Sequence, residues 1–268
     1  MGTLDRYVLR EVTQAWLAVT GVLLVILVSN ELAQVLGQAA ERGYPRSVIF
    51  ELIWLTSIQN LSVLVPVGLL IGIVLAYLTS QQLRQYGAET FIVNILGLSL
   101  IRELGPVLAA VLVAGRSGSA ITAQIGVMRV NEELDAMRVM GIAHGFRLVM
   151  PRVLALAIAM PLISLWTSMA ALAGGMLAAN LSLGISPAYF LSALPRAVPM
   201  VNLTLAIAKS TVFGILIALI GCYFGLKVKP NTESLGKGTT ASVVTSITIV
   251  ILVDALFAVL FRGVGLRA

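Results

Sequence analysis

The sequence is poor in the residues that build metal centres and disulfides, with one cysteine and one histidine among 268 residues. Cys222 has no partner for an internal disulfide, and His144 has no cysteine or second histidine nearby, so we expect neither a disulfide nor a metal site. Catalytic triads, zinc motifs and the protein-kinase motifs are absent as well. We therefore expect a protein that is not an enzyme and that holds no cofactor of its own.

Charged residues are also scarce, at 11% of the sequence against about 25% in soluble domains. The hydrophobic fraction is 59% and the mean hydropathy is +0.99, so the composition predicts an integral membrane protein. The net charge of +6 comes without a basic run interleaved with aromatic residues, and we expect no nucleic-acid partner. Basic residues beside membrane helices instead orient the helices and contact anionic lipid headgroups.

Long hydrophobic runs predict an all-α fold, because a helix of about 20 apolar residues spans the hydrocarbon core. An early run, 12–36, has an uninterrupted apolar core only at 22–28, and it predicts an interfacial, re-entrant or spanning helix, or a cleaved signal peptide. We divide the chain into this N-terminal helix segment, 1–47, and a main membrane domain, 48–268. The five core transmembrane helices are predicted at residues 48–79, 91–114, 148–181, 201–226 and 243–261.

The distribution of basic residues predicts the orientation of these helices. The connections at 115–152 and 227–237 carry eight Lys and Arg residues, whereas the opposite connections and the C-terminus carry four. Because cytoplasmic loops are enriched in Lys and Arg, we expect the first two connections to lie in the cytoplasm. The helix at 48–79 then runs outward, and the C-terminus ends outside.

Four charged residues lie inside the predicted spans and away from their ends, where each costs about 2.5–3.5 kcal/mol on insertion scales. Arg102 and Glu103 are adjacent in an apolar segment, and Pro106 follows them and removes a helical hydrogen bond. We expect Lys209 and Asp254, in the last two spans, to pair with each other or with Arg102 and Glu103, as a structural clamp rather than a proton relay. Arg102 and Glu103 either face a cavity and bind cargo or only neutralise each other where helices meet.

Residues 129–141 are too polar to span a membrane, and they predict a short amphipathic helix on the cytoplasmic side. Asn131 is placed to cap its start and Gly141 to end it. Its apolar ridge either packs against the underside of the same protein or docks into a motor protein as a coupling helix. The acidic residues of this helix are Glu132, Glu133 and Asp135. The residues of its apolar ridge are Leu134, Met137 and Met140.

A motor would be a separate subunit, because the chain contains no phosphate-binding P-loop. The closest text, Gly236-Lys237-Gly238-Thr239, lacks the first glycine and has the wrong residue after the lysine. If transport is active, we expect its energy to come from another subunit or from an ion gradient.

Several motifs within residues 68–260 closely resemble the MlaE-type permeases of bacterial ABC lipid transporters, in the same order and spacing. These motifs are Gly72-Ile73-Val74-Leu75, Tyr86-Gly87-Ala88-Glu89-Thr90, Leu100-Ile101-Arg102-Glu103-Leu104-Gly105-Pro106-Val107, Ala114-Gly115-Arg116-Ser117-Gly118-Ser119-Ala120, Glu132-Glu133-Leu134-Asp135-Ala136-Met137, Pro151-Arg152, Lys209-Ser210-Thr211-Val212-Phe213-Gly214 and Asp254-Ala255.

The resemblance implies a homodimeric permease of the bacterial inner membrane that moves phospholipids and maintains outer-membrane lipid asymmetry. It also implies three partners: a cytoplasmic ABC ATPase (MlaF-like) that binds the ATP, a STAS-domain protein (MlaB-like) and a periplasmic MCE protein (MlaD-like). The residues carried over as lipid contacts are Glu103, Arg102, Leu75, Leu83 and Tyr86. Those carried over as the coupling helix are Glu132, Glu133, Leu134, Asp135 and Met137.

Residues 4–76 look more like the start of the LptF/LptG permeases of lipopolysaccharide export, which belong to a different ABC transporter. In that family the second helix returns to the cytoplasm, which conflicts with the outward direction of residues 48–79. The longer MlaE-like match and the loop charges favour the outward direction, although a hybrid of two permeases is a further interpretation. The alternative functions are a lipopolysaccharide-export permease and an ion-coupled carrier that uses Glu103, Lys209 and Asp254.

Overall fold

The computed structural model describes residues 46–265, and this part of the chain consists of helices joined by short turns and loops, without strands. Five of its helices are long and apolar enough to cross a membrane, namely α1, α2, α4, α6 and α7 in the numbering below. The prediction of an all-α membrane protein is confirmed, while the predicted segment 12–36 lies outside the described residues. The helices are α1 (Arg46–Gln85), α2 (Glu89–Val130), α3 (Glu133–Val139), α4 (Met150–Leu183), α5 (Pro187–Ala197), α6 (Met200–Lys227) and α7 (Thr232–Leu260).

The predicted bounds are accurate where a hydrophobic run ends abruptly. The predictions for α4 and α6 are within two residues of the observed ends, whereas α1 continues six residues beyond the predicted end at 79. Helix α7 begins at Thr232 rather than 243, because the side chain of Asn231 accepts a hydrogen bond from the backbone N–H of Ser234 at 2.7 Å. Such a cap stabilises polar first turns that hydropathy does not detect.

The largest error concerns α2, which was predicted as 91–114 and instead continues to Val130. Glycine is a poor helix former in isolation. Here, however, a Cβ on Gly118 would lie 3.2 Å from the side chain of Ile217 in α6, and a Cβ on Gly221 would lie 3.1 Å from the Gly118 carbonyl oxygen. Close packing against α6 therefore stabilises the small-residue segment in a helical conformation that local propensity disfavours.

Helix α5 lies in a region for which the sequence predicted no helix, and it contains Pro187 and Pro195. Pro187 stands at the first helical position, where a missing N–H is harmless, and the Ser186 side chain accepts a hydrogen bond from the N–H of Tyr189 at 3.3 Å. Phe190, only 1% exposed, anchors the helix in the core. Pro187 thus marks a helix start rather than a loop, and Pro195 lies inside the last turns of the helix.

Helix α4 is the centre of the bundle and packs closely against α1 and α6. A Cβ on Gly72 would lie 1.9 Å from the carbonyl oxygen of Ala171, and one on Gly174 would lie 2.0 Å from that of Leu69. Gly214 of α6 approaches the backbone of α4 at Leu156 in the same way. Small residues replace apolar bulk at such contacts in membrane proteins, because lipid tails are as apolar as leucine.

Polar bonds connect the three helices that carry the intramembrane charges. The Thr122 hydroxyl of α2 contacts the carbonyl oxygen of Gly221 in α6 at 3.0 Å and the hydroxyl of Ser242 in α7 at 2.8 Å. All three groups are buried. Helices α2, α6 and α7 are therefore held together a few turns away from the charged residues.

Candidate functional site

Four charged side chains of α2, α6 and α7 form one connected group, here called the charged network: Arg102, Glu103, Lys209 and Asp254. Lys209 Nζ donates a hydrogen bond to Glu103 Oε2 at 2.6 Å. It also lies 2.7 Å from Asp254 Oδ1, in an ion pair that lacks hydrogen-bond geometry. Arg102 Nε lies 3.3 Å from Glu103 Oε1. Two cations meet two anions, so the network carries no net formal charge.

The four side chains differ in burial. Lys209 exposes 4% of its side-chain area, Arg102 10%, Asp254 22% and Glu103 36%. A buried ammonium group needs anionic partners to offset its lost hydration, and Lys209 has two. Glu103 is the member of the network that presents most surface to a ligand.

The backbone at Arg102 and Glu103 is a π-helical turn, Ser99–Leu104, in which the N–H of Gly105 donates to the carbonyl of Leu100. Pro106 follows at the start of the next α-helical segment. A π turn contains an extra residue, so it shifts the hydrogen-bond register just before a proline that cannot donate. Local sequence thus creates the irregular turn that carries both charges.

Arg102 does not face open space, as a cargo contact would. Its guanidinium group donates to the carbonyl oxygens of Phe261 at 2.7 Å and Val264 at 2.6 Å, and to Asn202 Oδ1 at 3.0 Å. Asn202 in turn donates to the carbonyl oxygen of Gly265 at 3.0 Å. Arg102 and Asn202 together hold the turn that follows α7, which makes Arg102 a positioning residue in this arrangement.

The space beside the charged network is small, about 10 Å³. Besides Arg102, Glu103 and Lys209, the described residues that line it are apolar: Leu205, Phe257 and Phe261. The two phenylalanine rings stack with their centroids 5.6 Å apart. A volume of this size holds about one water molecule, so a single chain in this arrangement does not enclose a lipid headgroup.

The other predicted lipid contacts, Leu75, Leu83 and Tyr86, lie elsewhere. Leu75 and Leu83 are half-buried against an apolar cluster that includes Leu100, whereas Tyr86 is 80% exposed just after α1. None of the three lines the space beside Glu103. Leu75 and Leu83 therefore pack against the same apolar cluster as Leu100 of the π turn, and they do not contact the space beside Glu103.

The short amphipathic helix predicted within residues 129–141 is present as α3, with one correction at its start. Asn131 does not cap it: the residue before its first turn is Glu132, which has a positive φ of 61° and makes no side-chain cap. Leu134 is 4% exposed and packs against the bundle, and Met137 packs there as well, so the apolar ridge largely faces the same chain. Gly141, with φ of +72°, follows the helix end as predicted.

The outer face of α3 is nevertheless available to a partner. Glu133 and Asp135 are exposed, as are Val139 at 89% and Met140 at 64%. His144 contacts the buried side of the helix, where its Nε2 lies 2.6 Å from the carbonyl oxygen of Leu134. Within the described part of the chain, no group of three His, Cys, Asp or Glu side chains is placed to hold a metal ion.

Sequence reasoning missed Asn202 and the two phenylalanines Phe257 and Phe261. A polar residue three positions into an apolar span, as Asn202 is, was a usable signal, because such groups seek partners in a membrane. The glycines Gly263 and Gly265 after α7 also indicated a turn. No local pattern indicates that this turn returns to Arg102, which lies 162 residues from Val264.

The fold and the site define a multi-pass helical membrane protein whose core contains a neutral network of charged side chains. The family model for the permease MlaE matches residues 49–260, so the chain belongs to the MlaE permease family. The resemblance seen in residues 68–260 is confirmed, and the match begins earlier, within the stretch that also looked like LptF/LptG.

Individual relatives cover most of the chain. A probable ABC transporter permease protein of Synechocystis sp. is 36% identical over 196 residues, which are 73% of this chain and 74% of the relative. The intermembrane phospholipid transport system permease protein MlaE of Haemophilus influenzae is 32% identical over 209 residues, covering 78% and 80% of the two chains. The chloroplastic protein TRIGALACTOSYLDIACYLGLYCEROL 1 of Arabidopsis thaliana is 31% identical over 211 residues, covering 78% and 60%.

Proposed function

We propose that this chain is the permease subunit of an ABC transporter that moves phospholipids between the inner and outer membranes of a bacterium. It would lie in the inner membrane as a homodimer and maintain outer-membrane lipid asymmetry. The relative from Haemophilus influenzae, whose name specifies intermembrane phospholipid transport, supports the cargo class. A partner ABC ATPase (MlaF-like) would bind and hydrolyse the ATP, together with a STAS-domain protein (MlaB-like) and a periplasmic MCE protein (MlaD-like).

The observation that carries the proposal is the half-exposed carboxylate of Glu103 in an otherwise buried, neutral network. A two-tailed lipid needs an apolar wall and a few polar groups for its head. Glu103 and Lys209 supply the polar groups, and Leu205, Phe257 and Phe261 supply apolar surface beside them.

The small volume beside Glu103 supports a dimer, because a lipid cavity there needs surface from a second protomer. In this arrangement Glu103 would face the seam between two copies, and Leu75, Leu83 and Tyr86 would extend the apolar wall. Lys209 would keep Asp254 as a partner whenever Glu103 engages a headgroup, so cargo binding would not leave an ammonium group unpaired.

Helix α3 would transmit the force. Its buried face, Leu134 and Met137, attaches it to the bundle, while Glu132, Glu133 and Asp135 project from it. The exposed pair Val139 and Met140 would fill an apolar groove of the ATPase. Because one face of α3 is packed on the bundle and the other would bind the ATPase, movement of the ATPase would be transmitted to the permease through this helix.

The test replaces Glu103 by Ala or by Lys in the purified dimer and measures retained phospholipid by mass spectrometry and lipid transfer with ATP. Both substitutions should change lipid occupancy and reduce transfer, Glu103→Lys more strongly because it places three cations together. Glu233→Ala is the matched control, since that carboxylate is exposed and pairs with Lys237 in the next turn.

Unchanged lipid occupancy and transfer in both Glu103 variants would refute the lipid role. Retained lipopolysaccharide in place of phospholipid would favour the export permease, which the family match over 49–260 disfavours. Transport that proceeds without a bound ATPase and follows an ion gradient would favour the carrier.

A further inference from the structure

The turn that follows α7, residues 261–265, lies beside the charged network, and we call it the α7 turn. It is compact, since the N–H of Val264 donates to the carbonyl oxygen of Phe261 at 3.1 Å. Phe261 is 9% exposed, and its ring stacks on that of Phe257 and lines the space beside Glu103. The three residues after Phe261 are exposed. The α7 turn therefore lies at the surface and inserts one aromatic ring next to Glu103.

Two buried side chains hold the α7 turn by its backbone carbonyl groups. Arg102 donates to the carbonyl oxygens of Phe261 and Val264. Asn202, which is fully buried, donates from its Nδ2 to the carbonyl oxygen of Gly265 at 3.0 Å. Its Oδ1 accepts from Arg102 at 3.0 Å. Because an amide side chain contains both a donor and an acceptor, Asn202 links the guanidinium group to the end of the turn.

The two glycines of the α7 turn differ in what surrounds them. Gly265 has a φ of +76°, and a Cβ there would lie 2.6 Å from Asn202 Oδ1. Side chains other than glycine rarely adopt this conformation, so even a methyl group at this position would push the turn away from Asn202. Gly263 has no positive φ, and a Cβ there would meet nothing within 4 Å. The contact with Asn202 thus requires glycine at 265 and not at 263.

The α7 turn lies on the outer side of the charged network. Asn202 is two residues after Met200, where α6 starts at the end that the loop charges assign to the exterior. Lys209 is seven residues further along α6, which is about 10 Å along the helix axis. The space that remains beside Glu103 has about 10 Å³, which is too small for a headgroup. The turn and its phenylalanine ring therefore limit this space from outside.

The contacts that hold the α7 turn can be exchanged for water. Carbonyl groups at the end of a helix have no partner within the helix, and water satisfies them when the end is exposed. A hydrogen bond that water can replace has a modest net value. Arg102 would keep an anionic partner without the turn, because its Nε lies 3.3 Å from Glu103 Oε1. An outward movement of the turn would therefore leave no charge unpaired in the bundle.

We propose that the α7 turn is a movable outer wall of the cargo site and that Asn202 is the positioning residue that keeps this wall closed. Outward movement takes the Phe261 ring away from Glu103 and opens the space to a headgroup from the outer side. The transmembrane helices stay folded during this movement. The inference rests on the proposed function in one respect, namely that the space beside Glu103 receives the cargo.

The experiment measures access to the space behind the α7 turn. Leu205→Cys places a thiol on the wall of this space, in the full-length permease with its co-purified ATPase in phospholipid nanodiscs. A water-soluble methanethiosulfonate reagent labels the thiol, and peptide mass spectrometry follows the labelling rate. Cys222, in the same helix and 1% exposed, is a native reference, because general loosening of the bundle would expose it as well.

Asn202→Leu removes one donor and one acceptor from the contacts of the α7 turn. The labelling rate of the introduced thiol should rise about tenfold, because a hydrogen bond to a charged group is worth about a factor of ten in an equilibrium. Cys222 should stay unlabelled. A merely structural role of Asn202 would raise the labelling of both thiols.

A second variant acts from the side of the turn and leaves Arg102 and Asn202 unchanged. Gly265→Ala should raise the labelling rate as Asn202→Leu does, so a folding defect of Asn202→Leu does not decide the outcome. Gly263→Ala is the matched control, since it adds the same methyl group two residues away in open space, and its labelling rate should be unchanged. With Leu205 restored, retained phospholipid should fall in Asn202→Leu and Gly265→Ala and remain unchanged in Gly263→Ala.

An unchanged labelling rate in both Asn202→Leu and Gly265→Ala would overturn the proposal, and so would an equal rise at Cys222. Faster labelling with unchanged phospholipid retention would overturn the role of the α7 turn in cargo access. Failure of the proposed function has a different signature: Glu103→Ala then leaves lipid occupancy unchanged while labelling in Gly265→Ala still rises. That result would refute the cargo site, and with it the cargo role of the turn.

Discussion

The charged network and the cavity between α1, α2 and α4 place charged side chains in different surroundings within one helix bundle. In the network, two cations and two carboxylates neutralise each other within 3.3 Å, and about 10 Å³ remains beside them. In the cavity between α1, α2 and α4, Arg116 and Arg152 line a volume of about 220 Å³ and donate to the carbonyl oxygens of Gln59 and Leu148. The charges of the network are closely packed against one another, whereas the two arginines border a much larger open space.

The space around the glycine residues also differs between the two regions. A Cβ on Gly105, beside the network, would lie 1.9 Å from the Ser168 hydroxyl oxygen and 2.7 Å from the carbonyl oxygen of Leu100. A Cβ on Gly115, beside Arg116, would meet nothing within 4 Å. The two positions lie ten residues apart on the same helix. The crowding at Gly105 comes from Ser168 of the neighbouring α4 and from the π turn of α2 at Leu100.

Replacing Lys209 by Met should have the largest effect on stability. It removes the cation between Glu103 and Asp254, and Asp254 then loses the ion pair that the structure shows. Breaking one side of a buried ion pair costs about 3–5 kcal/mol. We expect a marked fall in the midpoint of thermal unfolding, measured in nanodiscs by intrinsic fluorescence.

Lys227→Met is the matched control for that prediction, because Lys227 is at the exposed end of the same helix and contacts only the Tyr223 side chain at 3.3 Å among the contacts described. A double-mutant cycle of Lys209→Met and Asp254→Asn should show a coupling energy. Strictly additive effects would contradict a direct pair.

Gly105→Ala and Gly115→Ala should differ in sign. At Gly105 the added methyl group collides with α4, and overpacking of this kind costs about 1–3 kcal/mol. At Gly115 the methyl group meets open space and improves helix propensity by up to about 1 kcal/mol. Denaturant unfolding of both variants checks this pair, and equal destabilisation would show that the two regions are packed alike.

Arg116→Gln should have the smallest effect on stability. Its side chain is exposed and donates to the carbonyl oxygen of Gln59, and substitutions of exposed residues usually change stability by no more than about 0.5 kcal/mol. Denaturant unfolding of the variant checks this expectation. A loss of stability as large as that of Lys209→Met would remove the contrast between the cavity and the charged network.

Hydropathy predicted α4 and α6 nearly to the residue, because each hydrophobic run ends in polar or glycine-containing sequence. It failed for α2, where residues 115–120 look like a helix end and are instead held helical by α6. It also failed for α5, where the decisive features were a serine cap and one buried phenylalanine. These errors arise where neighbouring helices or caps outweigh local propensity.

Part of the candidate site could also be predicted from the sequence. The four charges of the network stand out because each is an ionisable residue within an apolar run, and Pro106 marked the irregular turn. The backbone carbonyl partners of Arg102 could not be predicted, because every residue has a carbonyl group and the sequence does not indicate which of them will lie near the guanidinium group. The exposed outer face of α3 could not be distinguished from its buried ridge by spacing alone.

The amino-acid sequence by itself determined that this is a helical membrane protein with charges inside its spans, because hydropathy and charge are properties of each residue and its near neighbours. Only the tertiary structure decided which charges meet: Glu103 and Lys209 are 106 residues apart, and Arg102 and Phe261 are 159 apart. Such distances along the chain are bridged by the close packing of helices at glycine contacts, and that packing depends on all the helices at once.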